Sequence, residues 1–190
     1  MKKIWILILA VLAIWAVFSY NSLVKNSANV SKTFAAVESA YQRRTDLIPN
    51  LVNTVKGVAN FEQKTLTDVI NARASATQTK LDPSNMTQED MDKFQQAQSG
   101  VGGALGRLLV VAENYPVLKA TDSFRDLQVQ LEGTENRIKV ERDNYSSAAA
   151  DFNAKIKSFP TILFNMLFRF KETPVFKSEA GADKVPTVTF

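Results

Sequence analysis

Residues 1–20 read Met1-Lys2-Lys3, then IWILILAVLAIWAVF at positions 4–18, then Ser19-Tyr20. The unbroken apolar run of residues 4–18 is long for the core of a secretion signal and just short of the roughly 20 residues of a spanning helix. Its downstream flank decides between them. Signal cleavage wants small side chains on either side of the cut, whereas Ala16-Val17-Phe18 and Phe18-Ser19-Tyr20 place bulky ones there, and no cysteine is present for a lipid-attachment cut. With Trp5, Trp15 and Tyr20 near the ends, where interfacial aromatics are favoured, the segment reads as an uncleaved single-pass anchor over residues 1–20. Lys2 and Lys3 face Lys25 and Lys32 across it, a small positive-inside excess. This puts the N-terminus inside and the bulk on the outer or periplasmic side of an inner membrane.

Beyond the anchor, apolar residues recur at steps of four and three: Val30, Phe34, Val37, Tyr41, Ile48, Leu51, Val55, Val58, Leu66 and Val69. That spacing is a helical seam of seven-residue period, interrupted at Arg44 and Glu62 and continued as a charge at Arg73. It predicts one long helix from about residue 21 to 80, bent near Thr45 to Pro49, where proline lacks a backbone donor and crowds the carbonyl four residues back. Leu81-Asp82-Pro83-Ser84-Asn85 reads as a loop, and Thr87 with Asp90 as a capping box opening a second helix that ends at Tyr115-Pro116. Gly100, Gly102, Gly103 and Gly106 inside that helix meet neither nucleotide-binding fingerprint, and imply close packing or a local break. A third helix follows Thr121-Asp122-Ser123 along Phe124, Leu127, Leu131, Thr134, Ile138, Tyr145, Ala149, Phe152, Ile156 and Phe159. After Pro160 comes the apolar segment Ile162-Leu163-Phe164-Asn165-Met166-Leu167-Phe168-Arg169-Phe170, too short to span a bilayer. Residues 171–190 read as a tail ordered by docking, with Pro186 to Phe190 able to form a short strand or clip. The expectation is thus an all-α protein: an elongated antiparallel bundle of three long helices plus a short C-terminal helix over residues 21–170, continuous with a transmembrane helix.

The 190 residues include neither cysteine nor histidine. Disulfides, thiolate or imidazole metal sites and the commonest general base are therefore excluded. Glu132 with Glu135, and Glu141 with Asp143, are acid pairs, but Arg137, Lys139 and Arg142 beside them indicate solvated ion-pair faces. No cofactor, no metal and no enzymatic activity are expected. The net charge of +4 is spread out, with no basic run interleaved with aromatics, so nucleic acid is not an expected partner. Anionic headgroups near Lys25 and Lys32 suit it better.

Three helices running up, down and up leave the membrane-proximal seam Val30, Phe34, Val37 and Tyr41 without a partner from its own chain. Bare apolar side chains cost about 1.5–3 kcal/mol each relative to burial. A second copy of the chain is the expected cover, making the protein a homo-oligomer. On the same path the third helix ends away from the anchor. Residues 162–170 then fold back on the bundle or meet something distal, such as a second membrane or another envelope protein.

The run Arg43-Arg44-Thr45-Asp46-Leu47-Ile48-Pro49-Asn50-Leu51-Val52 resembles the signature of the LemA family. Ala112-Glu113-Asn114-Tyr115-Pro116, Leu118-Lys119-Ala120, Glu135-Asn136, Tyr145, Asn153 and Phe159-Pro160 are similar to that family's pattern as well, while Arg169 stands where it usually has glycine. The resemblance marks Arg43, Arg44, Asp46, Pro49, Asn50, Glu113, Tyr115, Pro116 and Lys119 as motif residues. It implies an anchored helical bundle in a bacterial cell envelope, and a relative in magnetosome-forming bacteria linked to membrane remodelling implies a membrane-organising role. Arg44, if buried beside Pro49, needs a carboxylate, and Glu113 on the antiparallel second helix is the expected partner. Two functions follow: a self-associating membrane-anchored scaffold or interaction module, or an envelope receptor that takes a peptide or small ligand between its helices.

Overall fold

The computed structural model describes residues 2–57, 61–83 and 85–177. The expectations for Val58 and for residues 186–190 lie outside them. Among the described residues six helices follow one another: α1 (Lys2–Lys56), α2 (Gln63–Gln78), α3 (Gln88–Ala112), α4 (Pro116–Lys119), α5 (Asp122–Lys157) and α6 (Thr161–Phe168).

The first helix is the fold's axis, at 55 residues and roughly 82 Å by its rise per residue. It runs without interruption from the apolar N-terminal segment into the bundle. It does not reach residue 80. Gly57 closes it in a turn, and α2 starts afresh at Gln63 and descends antiparallel, so that Arg73 lies beside Thr45. The single rod from 21 to 80 is therefore two helices. Both halves carry the same seam, so periodicity alone does not reveal the reversal between them.

The reversal changes everything downstream. With α2 descending, α3 rises, α4 and the turn around it form the distal end, and α5 descends along α1. Residue pairs fix that last direction: Arg44 meets Glu135 and the Phe34 ring meets Tyr145. The bundle has four long helices, up, down, up and down, in place of three. It ends at the anchor instead of away from it, since α6 packs on α1 through Trp15 with Phe164 and Tyr20 with Phe168.

Helix ends follow their residues. Thr87 and Asp90 form the reciprocal capping box that opens α3, and Pro116 sits in the first turn of α4 where no donor is needed. The α3 helix is continuous through its glycines. A Cβ at Gly102 would lie 3.8 Å from Arg44 Nη1, an ordinary contact, and one at Gly100, Gly103 or Gly106 would meet open space, so neither a break nor close packing accounts for them.

Pro49 stays inside α1. Its missing N–H frees the Thr45 carbonyl four residues back, and Arg73 Nε on α2 donates to that oxygen at 3.2 Å. The lost intrahelical bond is thus replaced by a bond between helices. This ties Pro49 to the packing of α2, and it is the role of a charge that continued the seam without being apolar.

Replacing Arg73 with methionine therefore orphans a part-buried carbonyl only while Pro49 is present. The expected cost is about 1 kcal/mol in the native background and a few tenths in Pro49→Ala, where an alanine amide bonds Thr45 directly. A double-mutant cycle by urea unfolding measures the difference.

Candidate functional site

Two apolar cores lie end to end in the bundle. The distal one gathers Ile48, Leu51, Val55, Leu66, Val69, Leu105, Leu108, Phe124 and Leu131, and the proximal one Leu23, Phe34, Val37, Met91, Phe94, Ile138, Tyr145, Phe152 and Ile156. Between them sits a polar layer built on Arg44, which is 3% exposed. Its Nη1 donates to Glu135 Oε1 at 2.8 Å, and its Nη2 donates to both the backbone carbonyl and the side-chain oxygen of Gln98, at 2.9 and 2.6 Å. The guanidinium also lies 5.1 Å from the centre of the Tyr41 ring, a favourable cation–π position. Buried Thr45 and Thr134 flank the layer, each hydroxyl returning a bond to the carbonyl four residues back.

One side chain from α1 therefore binds α3 and α5 at once. Burying a guanidinium is costly unless paired and hydrogen-bonded, and Glu135, half exposed, supplies charge while Gln98 supplies oxygen. A cleft of about 370 Å³ opens beside the layer, lined by Tyr41, Arg44, Gln98, Glu135 and Arg142 among others. Burial is the main force raising the Tyr41 phenol above its ordinary range, opposed by the nearby Arg142 and Arg44. This keeps it neutral within the layer.

Glu113 is not the partner of Arg44. Gln98 marks the level at which α3 passes Arg44, and Glu113 lies 15 residues further on, roughly 22 Å up the helix. There it pairs with Lys119. The motif residues thus separate into two places. Arg44 and Pro49 act at mid-bundle with exposed Arg43, Asp46 and Asn50 around them, Asp46 accepting from Gln42. Glu113, Tyr115, Pro116 and Lys119 build the distal turn, where the Tyr115 ring packs 4.9 Å from Phe61.

Val30, Phe34, Val37 and Tyr41 are 7%, 0%, 0% and 4% exposed in the single chain. The descending α5 covers them with Tyr145, and α3 adds Phe94, 5.2 Å from the Tyr41 ring. They are core, so no second copy is needed to shield them. The geometric case for their role in self-association falls with the three-helix path on which it rested.

The second constructed feature is a groove on α3 and α5 that holds an extended strap, residues 170–177. Four side-chain amides each pair with one strap residue's backbone, donating to its carbonyl and accepting from its N–H: Asn165 with Phe170, Asn153 with Thr173 (by its N–H and carbonyl alike), Gln88 with Val175 and Gln95 with Lys177. Such bidentate pairing is how a sheet edge holds a strand, performed here by side chains. Tyr145, whose phenol burial holds well above its ordinary range, donates to the Pro174 carbonyl at 2.8 Å. The Phe176 ring sits 5.5 Å from Tyr145 and 4.7 Å from the Arg142 guanidinium.

Sequence reasoning missed Gln88, Gln95 and Gln98, and did not join Glu135 to Arg44. A signal for Gln98 was present: it occupies a seam position of α3 in the series Met91, Phe94, Gln98, Val101, Leu105, as Arg44 does in α1. Two polar interruptions of facing seams are the mark of a buried layer. Gln88, exposed, and Gln95, half-buried, carry no such mark, since they lie off the apolar seam and bind backbone. The acid pairs do not converge, Glu141 being held by Arg137 and Asn144. Among the described residues no group of three or more acids, histidines or cysteines is placed to hold a metal. Among the same residues, one helix is long and apolar enough to cross a membrane.

The model of the LemA family matches residues 33–190. Magnetosome protein MamQ 2 of Paramagnetospirillum magneticum is 26% identical over 187 residues, covering 90% of this chain and 68% of the relative. Magnetosome protein MamQ of Magnetospirillum gryphiswaldense is 25% identical with the same coverage. Protein LemA of Metamycoplasma hominis is 25% identical over 143 residues, 74% of this chain and 61% of that protein. These relatives and the long apolar helix fit a membrane location.

Glu135→Ala strands the Arg44 charge in the core, whereas Glu132→Ala on the exposed face strands nothing. Urea unfolding is expected to show Glu135→Ala about 2 kcal/mol less stable than Glu132→Ala.

Proposed function

The chain belongs to the LemA family, and from that membership we propose that it is a membrane-anchored helical scaffold or interaction module of the bacterial cell envelope. The observation that carries this reading is the continuity of α1, which leaves its apolar segment and enters the bundle as one helix without a linker. A tether would need a flexible joint, and a scaffold needs the opposite. An unbroken helix makes the direction of the bundle follow the tilt of the span. The bulk of the chain is assigned to the outer or periplasmic side of the inner membrane, on the flanking lysines. The relatives named as magnetosome proteins support a membrane-organising role.

Self-association belongs to this proposal in a changed form. The seam residues being covered, the span is the longest bare apolar face left for contact between copies: Ile4, Leu7, Val11, Ile14 and Phe18 are 54–68% exposed in the single chain. Helices in lipid associate through packing of such faces. Full-length protein in a density-matched detergent is expected to sediment as an oligomer whose share grows with protein-to-detergent ratio. A monomer across the whole range removes self-association from the reading.

A receptor function is the second reading, and the strap groove favours it. Four amides that recognise backbone accept an extended peptide with little regard to its side chains, and the chain's own residues 170–177 act as a tethered occupant at high effective concentration. A labelled peptide of residues 170–177 is therefore expected to bind full-length Phe176→Ser, whose own strap is weakened, at least tenfold more tightly than the unaltered chain. Binding to neither removes the receptor reading.

A further inference from the structure

The α6 helix is apolar on the side it turns away from the protein. Leu163, Met166 and Leu167 are 57%, 80% and 78% exposed, and Phe159 just before the helix is 78% exposed. None of its residues is buried. Four large apolar groups in a nine-residue stretch are too many to leave in water on a folded surface.

The position of α6 names the occupant. Its Phe164 ring lies 6.3 Å from Trp15, and its Phe168 ring 5.0 Å from Tyr20. Trp15 is three residues inside the apolar run that ends at Phe18, so Phe164, midway along α6, sits roughly 4.5 Å below the run's edge. A helix held at that depth faces whatever surrounds α1 there. Around a membrane span, that is lipid.

The length of the run supports the same conclusion. Residues 4–18 cover roughly 22 Å, against about 30 Å of hydrocarbon in a typical bilayer. A span that short draws the first polar turns of α1 toward the membrane, and α6 provides apolar surface at that end. Basic side chains stand where headgroups would meet it: Lys25 on α1, and Arg169 and Lys171 on either side of Phe170, all exposed. Asn165 closes the turn by pairing with both backbone groups of Phe170, which lowers the cost of bringing this chain reversal near a low-dielectric phase.

We infer that α6 is an interfacial helix lying in the leaflet on the bundle's side of the membrane, with Leu163, Met166 and Leu167 among the acyl chains and Arg169 and Lys171 at anionic headgroups. The protein then holds its membrane at two elements, the crossing α1 and α6, which stands beside it between the levels of Trp15 and Tyr20. Two contacts resist rotation of the bundle about the α1 axis, which a lone span does not. A helix in one leaflet also takes up area there without taking it up in the other. The inference rests on the reading of α1 as a membrane span.

The chain has no native cysteine, so single labels report cleanly. Met166→Cys, Val17→Cys and Val117→Cys full-length proteins carry an environment-sensitive fluorophore and are reconstituted in vesicles containing anionic lipid with doxyl-labelled acyl chains. Val17 lies in the span and Val117 at the distal turn, 60% and 76% exposed respectively. The expected result is strong quenching at 166, within about twofold of that at 17, and none at 117. Quenching at 17 but not at 166 overturns the inference while leaving the anchor intact, whether the 166 label is in water or blue-shifted against another copy. Absence of quenching at 17 overturns both.

Discussion

A single buried cation fixes the alignment of this bundle. The heptad seams of α1, α3 and α5 are apolar along most of their length, and apolar seams tolerate sliding by a repeat. Arg44 does not. Its guanidinium bonds Glu135 on α5 and two oxygens of Gln98 on α3, and a shift of either helix by one turn leaves a desolvated charge without partners. A polar residue at a seam position gives up some stability to specify register, and here the layer lies between two apolar cores so that both are set by it.

The other spatial relations follow from that register. With Arg44 opposite Glu135, Phe34 falls opposite Tyr145, and the end of α5 falls opposite the start of the bundle. The chain is thus returned to the apolar N-terminal segment, where α6 meets Trp15 and Tyr20. The strap depends on the same alignment, since its anchors are divided between α3, with Gln88 and Gln95, and α5, with Asn153 and Tyr145. Sliding α3 against α5 would break the ladder of amides. A mid-bundle salt bridge therefore governs features at the end of the bundle nearest the apolar segment.

Much of this was legible in the amino-acid sequence. The seam of α5 is buried at every position named from periodicity except Phe159, and the capping box at Thr87 and Asp90 forms as its spacing predicts. What escaped was non-local. Lys56-Gly57, where the chain turns back, is a helix-stop signal that is easily read through, because the same seven-residue period resumes in α2. That one reversal converted three helices into four and carried the error to the covered seam of Val30, Phe34, Val37 and Tyr41. Glu113 was a reasonable carboxylate for Arg44 by helix direction, but direction does not give level, and level is what Gln98 reveals. That the chain after residue 170 docks was legible, and residues 171–177 do so; where it docks was not, because side-chain recognition of backbone leaves no pattern in the segment recognised. Arg169 is an exception: at φ 58° it occupies the left-handed region that favours glycine, which gives a reason for glycine being usual there in similar chains.

The central claim is that span and bundle form one body, joined by helix and fixed by the Arg44 layer. Hydrogen exchange by mass spectrometry on the full chain in lipid nanodiscs tests it most directly, through the peptides that cover the junction at residues 19–29. Slow exchange is expected there, continuous with that of residues 4–18 and 30–41, because the helix has no joint. Fast exchange confined to residues 19–29, with protection on both sides, would contradict it and leave the protein a bundle on a tether.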